Sequence, residues 1–161
     1  METKMLFSAA HLQAVLAEMA EDLSVNYREK LTESGRNASR ALYNSVTARV
    51  ETDGGAYEVR LSLLEYWKYI EHGTRPHWPP VSKILEWIKV KPVIPRPDRN
   101  GRIPSQKSLA YLIARKISRV GTEGKPDLND TVDNVLPWYM SRISEALGRD
   151  VQEYVTRVFQ G

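Results

Sequence analysis

The sequence predicts an α+β fold with a long N-terminal helix, a small antiparallel β-hairpin, and several further helices including a long C-terminal helix. Three observations lead to this prediction: an apolar stripe of helical period near the N-terminus, alternating residues on both sides of an Asp-Gly-Gly turn, and a second helical stripe near the C-terminus. A chain of 161 residues is long enough for one domain with a core and short for two. We therefore expect residues 1–161 to form a single domain.

Residues 8–33 are predicted to form one long helix. Ser8 is the expected N-cap, and Gly35 is the residue expected to end the helix. Its apolar residues recur at spacings of three and four: Leu12, Val15, Leu16, Met19, Leu23, Tyr27 and Leu31. A two-stranded sheet is too small to cover this stripe, so we expect another helix or another subunit to share it.

A β-hairpin is predicted next, at about residues 45–61. Asp53-Gly54-Gly55 forms the expected turn, and alternate residues on both sides of it are apolar: Val46, Ala48, Val50, Tyr57, Val59 and Leu61. An isolated hairpin is marginally stable in water. We therefore expect it to pack against the first and the last helix.

Two short helices follow, separated by a turn. The first is predicted over residues 63–72 and ends at Gly73, for which we expect a positive φ angle. The second is predicted over residues 81–90, behind two prolines that suit a helix start. Trp78 is expected to be partly exposed and to lie against this second helix. The residues expected to point inward from it are Ile84, Leu85 and Ile88.

The stretch from Lys91 to Pro104 is predicted to form a stiff, protruding arm. It contains prolines at positions 92, 95, 97 and 104, which cannot donate hydrogen bonds to a central strand. Asn100-Gly101 predicts a tight turn at its tip. Arg96, Arg99 and Arg102 make that tip basic. A stiff, charged arm loses little entropy on docking, which suits contact with a partner.

Two more helices complete the predicted fold. One covers about residues 106–120, with Ser105 as N-cap and with Leu109, Leu112, Ile113 and Ile117 on one side. The last begins near Asn129 or Asp130 and keeps the helical period through Pro137, where we expect a kink or a restart. Residues 151–159 fit a helix and a strand equally well.

Composition and charge restrict the setting in which the chain works. It has no cysteine, which fits a reducing cytoplasm, and no apolar run reaches the ~18–20 residues of a membrane span. The net charge is +3, but residues 75–125 contain twelve Lys and Arg and three Asp and Glu residues, a local net charge of +9. This asymmetry predicts one basic face. In one interpretation the face is solvated or meets an acidic protein; in the other it contacts nucleic acid.

No residue pattern in the chain predicts catalysis, a metal or a cofactor. His72 and His77, with Glu71, form the one candidate metal cluster, but Gly73 and Pro76 break the ligand spacing. Asp98–Arg102 superficially matches a histidine–asparagine nuclease, yet the strand that should precede it is absent. We expect the four tryptophans to serve mainly in packing rather than as stacking platforms for single-stranded nucleic acid.

Several short motifs occur in an order typical of one protein family. The most specific motif is Glu71-His72-Gly73-Thr74-Arg75-Pro76-His77-Trp78-Pro79-Pro80, which follows Tyr66 and Tyr69-Ile70. The others are Ser34-Gly35, Leu42, Ser45, Ala110, Ala114-Arg115-Lys116-Ile117, Gly121-Thr122 and Pro126-Asp127-Leu128. Together they cover nearly the whole chain and resemble the gene-ten-type neck or tail-completion proteins of long-tailed lambdoid phages. Asp127 departs from the family, which usually has an aromatic residue there, and so does the proline-rich arm.

The resemblance implies a non-enzymatic structural virion protein at the phage head–tail junction, assembled in the host cytoplasm without a membrane. It would form a homo-oligomeric ring, with six subunits expected, that joins the tail to the head connector. Its partners would be other neck, connector and tail-tube proteins, with non-specific contact to genomic DNA in the channel. The motif from Tyr69 to Trp78 would form an interface or structural corner, and the arm residues would make contacts: Arg96, Arg99, Asn100, Gly101 and Arg102. The alternative is a small basic DNA-binding or DNA-processing protein that uses residues 75–125.

Overall fold

The computed structural model describes residues 7–35, 40–91 and 93–160. In this part of the chain the protein has six helices and two small sheets, which confirms the predicted α+β class. The elements, in chain order, are α1 (Ala10–Glu33), α2 (Ala41–Ser45), β1 (Thr47–Asp53), β2 (Ala56–Ser62), α3 (Trp67–His72), β3 (Gly73–Thr74), α4 (Val81–Val90), α5 (Gln106–Val120), β4 (Thr122–Glu123) and α6 (Asp127–Gln160).

The chain divides into two compact units, each assembled from separate segments. Unit 1 comprises residues 1–30, 45–63 and 127–161, and unit 2 comprises residues 31–44 and 64–126. Helix α1 contributes residues to both units. Each unit has a hydrophobic cluster of its own. That the whole chain acts as one domain stays a prediction.

Unit 1 places the hairpin against the first and last helices, as predicted. Strands β1 and β2 pair antiparallel with Val50 opposite Val59, and Gly54 and Gly55 make the turn with φ angles of 56° and 90°. The buried cluster consists of Leu16 and Met19 of α1 and Val135 and Tyr139 of α6, with Val50, Tyr57 and Val59 of the hairpin packed against it. The apolar stripe of α1 is therefore shared by another helix and the hairpin.

Helix α1 begins at Ala10, and its N-terminus is capped by Asp150 of α6. The Asp150 carboxylate, 1% exposed, accepts the backbone N–H groups of His11 at 3.0 Å and Leu12 at 2.8 Å, and lies 2.9 Å from the His11 ring Nδ1. Burial raises the pKa of Asp150, but these hydrogen bonds outweigh burial and lower it below its usual value. The prediction of Ser8 as the N-cap is wrong, because a distant carboxylate meets the free N–H groups and the positive end of the helix dipole.

Two further polar contacts join α1 to α6. The Tyr139 hydroxyl donates a hydrogen bond to Asp22 at 2.6 Å, and burial together with this contact raises the pKa of Tyr139 to about 12. Arg142 pairs with Glu18, and its guanidinium lies over the Trp138 ring at 4.7 Å from the centroid. These contacts fix the register of the two helices along their shared apolar stripe.

Helix α6 runs without interruption from Asp127 to Gln160 and passes through Pro137. It starts slightly before the predicted position, it does not restart at Pro137, and residues 151–159 are helical. Proline removes the hydrogen bond to the carbonyl four residues earlier, that of Asp133. Both Asp133 and Pro137 are exposed, so water can satisfy that carbonyl.

Unit 2 is built on the pair α4 and α5, whose bounds match the predicted ones. Ser105 caps α5 by accepting the Ser108 N–H at 3.2 Å. The buried contacts are made by Ile84 and Ile88 of α4 and by Ala110 and Ala114 of α5. Of the four residues predicted on one side of α5, Leu109, Ile113 and Ile117 pack against this cluster, whereas Leu112 is exposed. The small side chains of the two alanines let the helices approach closely.

The arm contains no strand over residues 93–104; Pro92 lies outside the described residues. Asp98 organises the tip, because its Oδ1 accepts the N–H groups of Asn100 and Arg102 at 2.8 and 2.9 Å. Gly101 has the positive φ angle of 75° that a tight turn needs. Ile94, at 91% exposed, lies in solvent. The arm is therefore an excursion, as predicted.

Candidate functional site

Two Gly-Thr segments that are far apart in the sequence pair with each other in unit 2. Strand β3, at the end of α3, runs antiparallel to β4, at the end of α5, with Gly73 opposite Glu123 and Thr74 opposite Thr122. The two threonine hydroxyls share a hydrogen bond of 2.9 Å. The Lys125 N–H donates to the carbonyl of Ile70 at 2.9 Å and extends the pairing. We call this arrangement the Gly-Thr crossing.

Glycine is required at the crossing because the two backbones nearly touch. A Cβ atom on Gly73 would lie 2.1 Å from the Thr122 carbonyl oxygen, and one on Gly121 would lie 2.0 Å from that of Thr74. Gly73 and Gly121 also have φ angles of 71° and 72°, as predicted for Gly73. A Cβ on Gly124 would lie 2.4 Å from the Glu71 carbonyl oxygen. None of these sites accepts any other residue without moving a backbone.

The predicted corner, residues 69–78, surrounds β3. Glu71 is buried, whereas Tyr69 and Trp78 are 65% and 52% exposed. The partial exposure of Trp78 was predicted, and its ring contacts that of Tyr111 of α5, at 5.5 Å between centroids. The other corner residues, namely His72, Arg75, Pro76 and His77, are exposed. The crossing therefore holds two aromatic side chains at the surface of unit 2.

An apolar groove lies beside the crossing, between α4 and α5. Its volume is about 750 Å³, and most of its lining is apolar: Pro79, Pro80, Ile84, Trp87, Ile113, Ile117 and Val120. Lys83, Lys116 and Glu123 supply charge at its edge. The sequence pointed to an apolar face on each helix but not to this groove, because nothing in the sequence predicted how the two faces pack together. The available signal was Trp87, which lies beside the inward positions of α4.

The corner and the arm lie at opposite ends of α4. The corner leads into the N-terminus of α4 and the arm follows its C-terminus, and a helix of ten residues is roughly 15 Å long. The arm residues Arg96, Arg99, Asn100, Gly101 and Arg102 are all exposed. The structure therefore brings the corner residues together around the crossing, and it places the arm residues at a second location.

The two histidines of the corner, His72 and His77, make local contacts within the turn. The His77 ring Nδ1 lies 2.9 Å from the carbonyl oxygen of Arg75, and the His72 ring lies against Trp67 at 6.2 Å. Within residues 7–35, 40–91 and 93–160, no group of three His, Cys, Asp or Glu side chains is arranged to hold a metal. What the site presents is exposed aromatic rings, an apolar groove and basic side chains.

The chain was compared with known protein families, curated proteins and solved structures. No protein-family model, curated protein or solved structure matches the chain. None of the helices in the described residues is long and apolar enough to span a bilayer.

Proposed function

We propose that this chain is a non-enzymatic structural virion protein of a tailed phage. It acts at the head–tail junction as a neck or tail-completion ring, with six subunits expected, and joins the tail to the head connector. The observation that carries this proposal is the Gly-Thr crossing. Two separate motifs on which the family resemblance depends, Gly73-Thr74 and Gly121-Thr122, form one structure in which both glycines are sterically required. The two Gly-Thr motifs of the family resemblance therefore correspond to one structural feature, the Gly-Thr crossing, which supports the proposal.

The crossing also gives the corner a role in assembly. Tight backbone pairing beside Tyr69 and Trp78 holds these exposed rings in place before a partner arrives. Aromatic residues are enriched in protein interfaces, and a surface that is ordered in advance loses little entropy on binding. A preformed corner of this kind suits a ring protein that must join two larger assemblies.

The proposal is tested by removing the protein from its phage. An early amber codon in the gene should yield filled heads and separate tails in electron micrographs of a non-suppressing host. Wild-type protein supplied in trans should restore joined particles, and so should Gly54→Ala, which adds a Cβ in open space at the hairpin turn. Gly73→Ala should fail to restore them, because it breaks the crossing. Infectious particles that form without the protein would disprove the proposal.

The charge of unit 2 favours a second candidate function, a small DNA-binding or DNA-processing protein. Unit 2 contains 15 Lys and Arg residues and six Asp and Glu residues, a net charge of +9. A protein that neutralises DNA phosphates releases counterions, so its affinity falls steeply with salt. Titrating duplex DNA at several salt concentrations decides between the two functions. Tight binding with a steep slope that is reduced by changing Arg96, Arg99 and Arg102 to Gln favours the DNA-binding protein, and weak binding favours the structural one.

A further inference from the structure

The C-terminal part of α6 carries an exposed apolar stripe. Leu147, Val151, Val155 and Val158 follow one another at spacings of four, four and three, so they share one face of the helix. Each is between 41% and 45% exposed. The stripe is about 16 Å long, at 1.5 Å per residue. Contiguous apolar surfaces of this kind mark interaction sites, whereas single exposed apolar residues do not.

The neighbouring face of the same helix segment is already occupied within unit 1. Asp150 caps α1, and the Tyr154 ring lies against Phe7 at 5.6 Å between centroids. Ala146 is buried. Among the residues that the structure describes, the packing inside unit 1 therefore uses the face that carries these three residues and leaves the stripe uncovered.

The groove between α4 and α5 matches the stripe in chemistry, since most of its lining is apolar. Helix α4 has ten residues and α5 has 15, so the groove is bordered by helices of roughly 15 and 22 Å. Trp87 and Val120, which line it, are 42% and 65% exposed, so the groove opens to solvent. Laying the apolar face of a helix into such a groove is a recurring mode of protein recognition.

Charge indicates which surfaces meet. Unit 1, which carries the stripe, contains eight Lys and Arg residues and 14 Asp and Glu residues, a net charge of −6. Unit 2, which carries the groove, has a net charge of +9. A stripe that meets a stripe brings together two units of net charge −6, and a groove that meets a groove brings together two units of net charge +9. A stripe that meets a groove on another copy brings opposite charges together, which speeds association and disfavours the wrong pairings.

We propose that the stripe on α6 of one copy docks into the α4–α5 groove of a second copy. Each copy has one stripe and one groove, so the contact is heterologous and repeats from copy to copy, which is the kind of contact that closes a ring. The inference deepens the proposed ring and rests on it. One helix in one groove is small for a stable interface, so two copies should associate weakly and gain strength when the ring closes.

The test is a mixing experiment with the full chain. Sedimentation velocity over roughly 1–100 μM covers the affinities of small interfaces. The wild type should form oligomers. A stripe variant, Val151→Glu with Val155→Glu, and a groove variant, Val120→Glu, should each weaken self-association by roughly tenfold or more, because each places a carboxylate in an apolar contact. Val25→Glu, at an exposed apolar residue of α1, is the matched control and should associate like the wild type.

The mixture of the two variants is decisive. The stripe variant keeps an intact groove and the groove variant keeps an intact stripe, so a 1:1 mixture should form a dimer and nothing larger. A groove variant that associates like the wild type, a mixture that stays monomeric, or a wild type that is monomeric throughout would each overturn the contact. Circular dichroism establishes that each variant is folded before it is mixed.

A second measurement avoids variants that perturb folding. The chain has no cysteine, so a single introduced thiol reports one position. Copies with Val155→Cys and copies with Val120→Cys, mixed under oxidising conditions, should form a covalent dimer faster than Val155→Cys mixed with Val25→Cys. Equal rates would overturn the contact. An oligomer that is unchanged by both Glu variants removes this contact but leaves the virion role, which the phage experiment tests separately.

Discussion

Gly73→Ala should lower the free energy of unfolding of the protein. The loss should be larger than that caused by a Gly→Ala substitution in the arm or in the hairpin turn. The new Cβ would lie 2.1 Å from the Thr122 carbonyl oxygen and 2.6 Å from the Gly124 nitrogen. Both atoms belong to the backbone, so no side-chain rotation relieves the contact. The substitution therefore forces β3 and β4 apart.

The magnitude follows from two contributions. Gly73 has φ 71° and ψ −166°, a backbone region that is essentially restricted to glycine, and strain of this kind costs about 1–3 kcal/mol. Separating the strands also breaks backbone hydrogen bonds that contribute about 1 kcal/mol each. We expect a loss of about 3 kcal/mol or more in the free energy of unfolding, larger than the roughly 1 kcal/mol that the φ angle alone suggests. Gly73→Val should cost at least as much.

Gly101→Ala is the matched control, because Gly101 belongs to the same unit, has a φ angle of 75°, and has no atom near the added Cβ. Urea unfolding followed by tryptophan fluorescence measures both variants. A Trp138→Phe background confines the signal to unit 2, which holds Trp67, Trp78 and Trp87. If Gly73→Ala costs no more than Gly101→Ala, the close approach of the strands is not a stabilising feature and the reasoning fails.

Three further outcomes are expected. The pKa of Asp150 is lowered by folding, so its contribution to stability is present above the unfolded pKa and is lost as pH falls through the folded pKa. Asp150→Ala should therefore lower the melting temperature at pH 7 and make the melting temperature less dependent on acid pH. A variant that keeps the full acid dependence would exclude Asp150 as its source. The pKa of Tyr139 is raised to about 12, so the stability of the fold should fall as pH rises from about 10 to about 12. Tyr139→Phe should reduce this alkaline loss when urea unfolding is measured across the range. Equal losses in both proteins would contradict the assignment of the loss to Tyr139. Deleting Pro95–Arg102 should leave a folded chain by circular dichroism but impair particle assembly, and either an unfolded deletion variant or fully infectious particles would argue against an assembly arm.

Local signals allowed the sequence to predict most of the elements. Ser105 and Gly121 bracket α5, the prolines before Val81 start α4, and the Asp-Gly-Gly turn sets the hairpin register; each acts within a few residues. The fold class followed from these elements. The start of α1 was misplaced because its capping group, Asp150, lies 139 residues from His11.

The candidate site was predicted only in part, for the same reason. The sequence indicated Gly73 as a helix end with positive φ, which the structure has, and it placed Gly121 directly after the helix predicted over residues 106–120. Nothing in either segment showed that the two pair, because the pairing depends on how α3 and α5 are brought together. The groove was missed because the small side chains of Ala110 and Ala114 let α4 and α5 pack while leaving larger residues at its edge partly open.

The Gly-Thr crossing makes the chain between its two threonines a closed loop, with Thr74 and Thr122 48 positions apart. The entropy of closing a loop depends only on the logarithm of its length, so removing the eight residues Pro95–Arg102 changes it by about 0.2 kcal/mol. The length of the arm is thus nearly decoupled from the stability of the corner. Insertions and deletions at the arm tip can accumulate in evolution, and its reach can be adjusted to a different partner, without redesign of the scaffold that carries it.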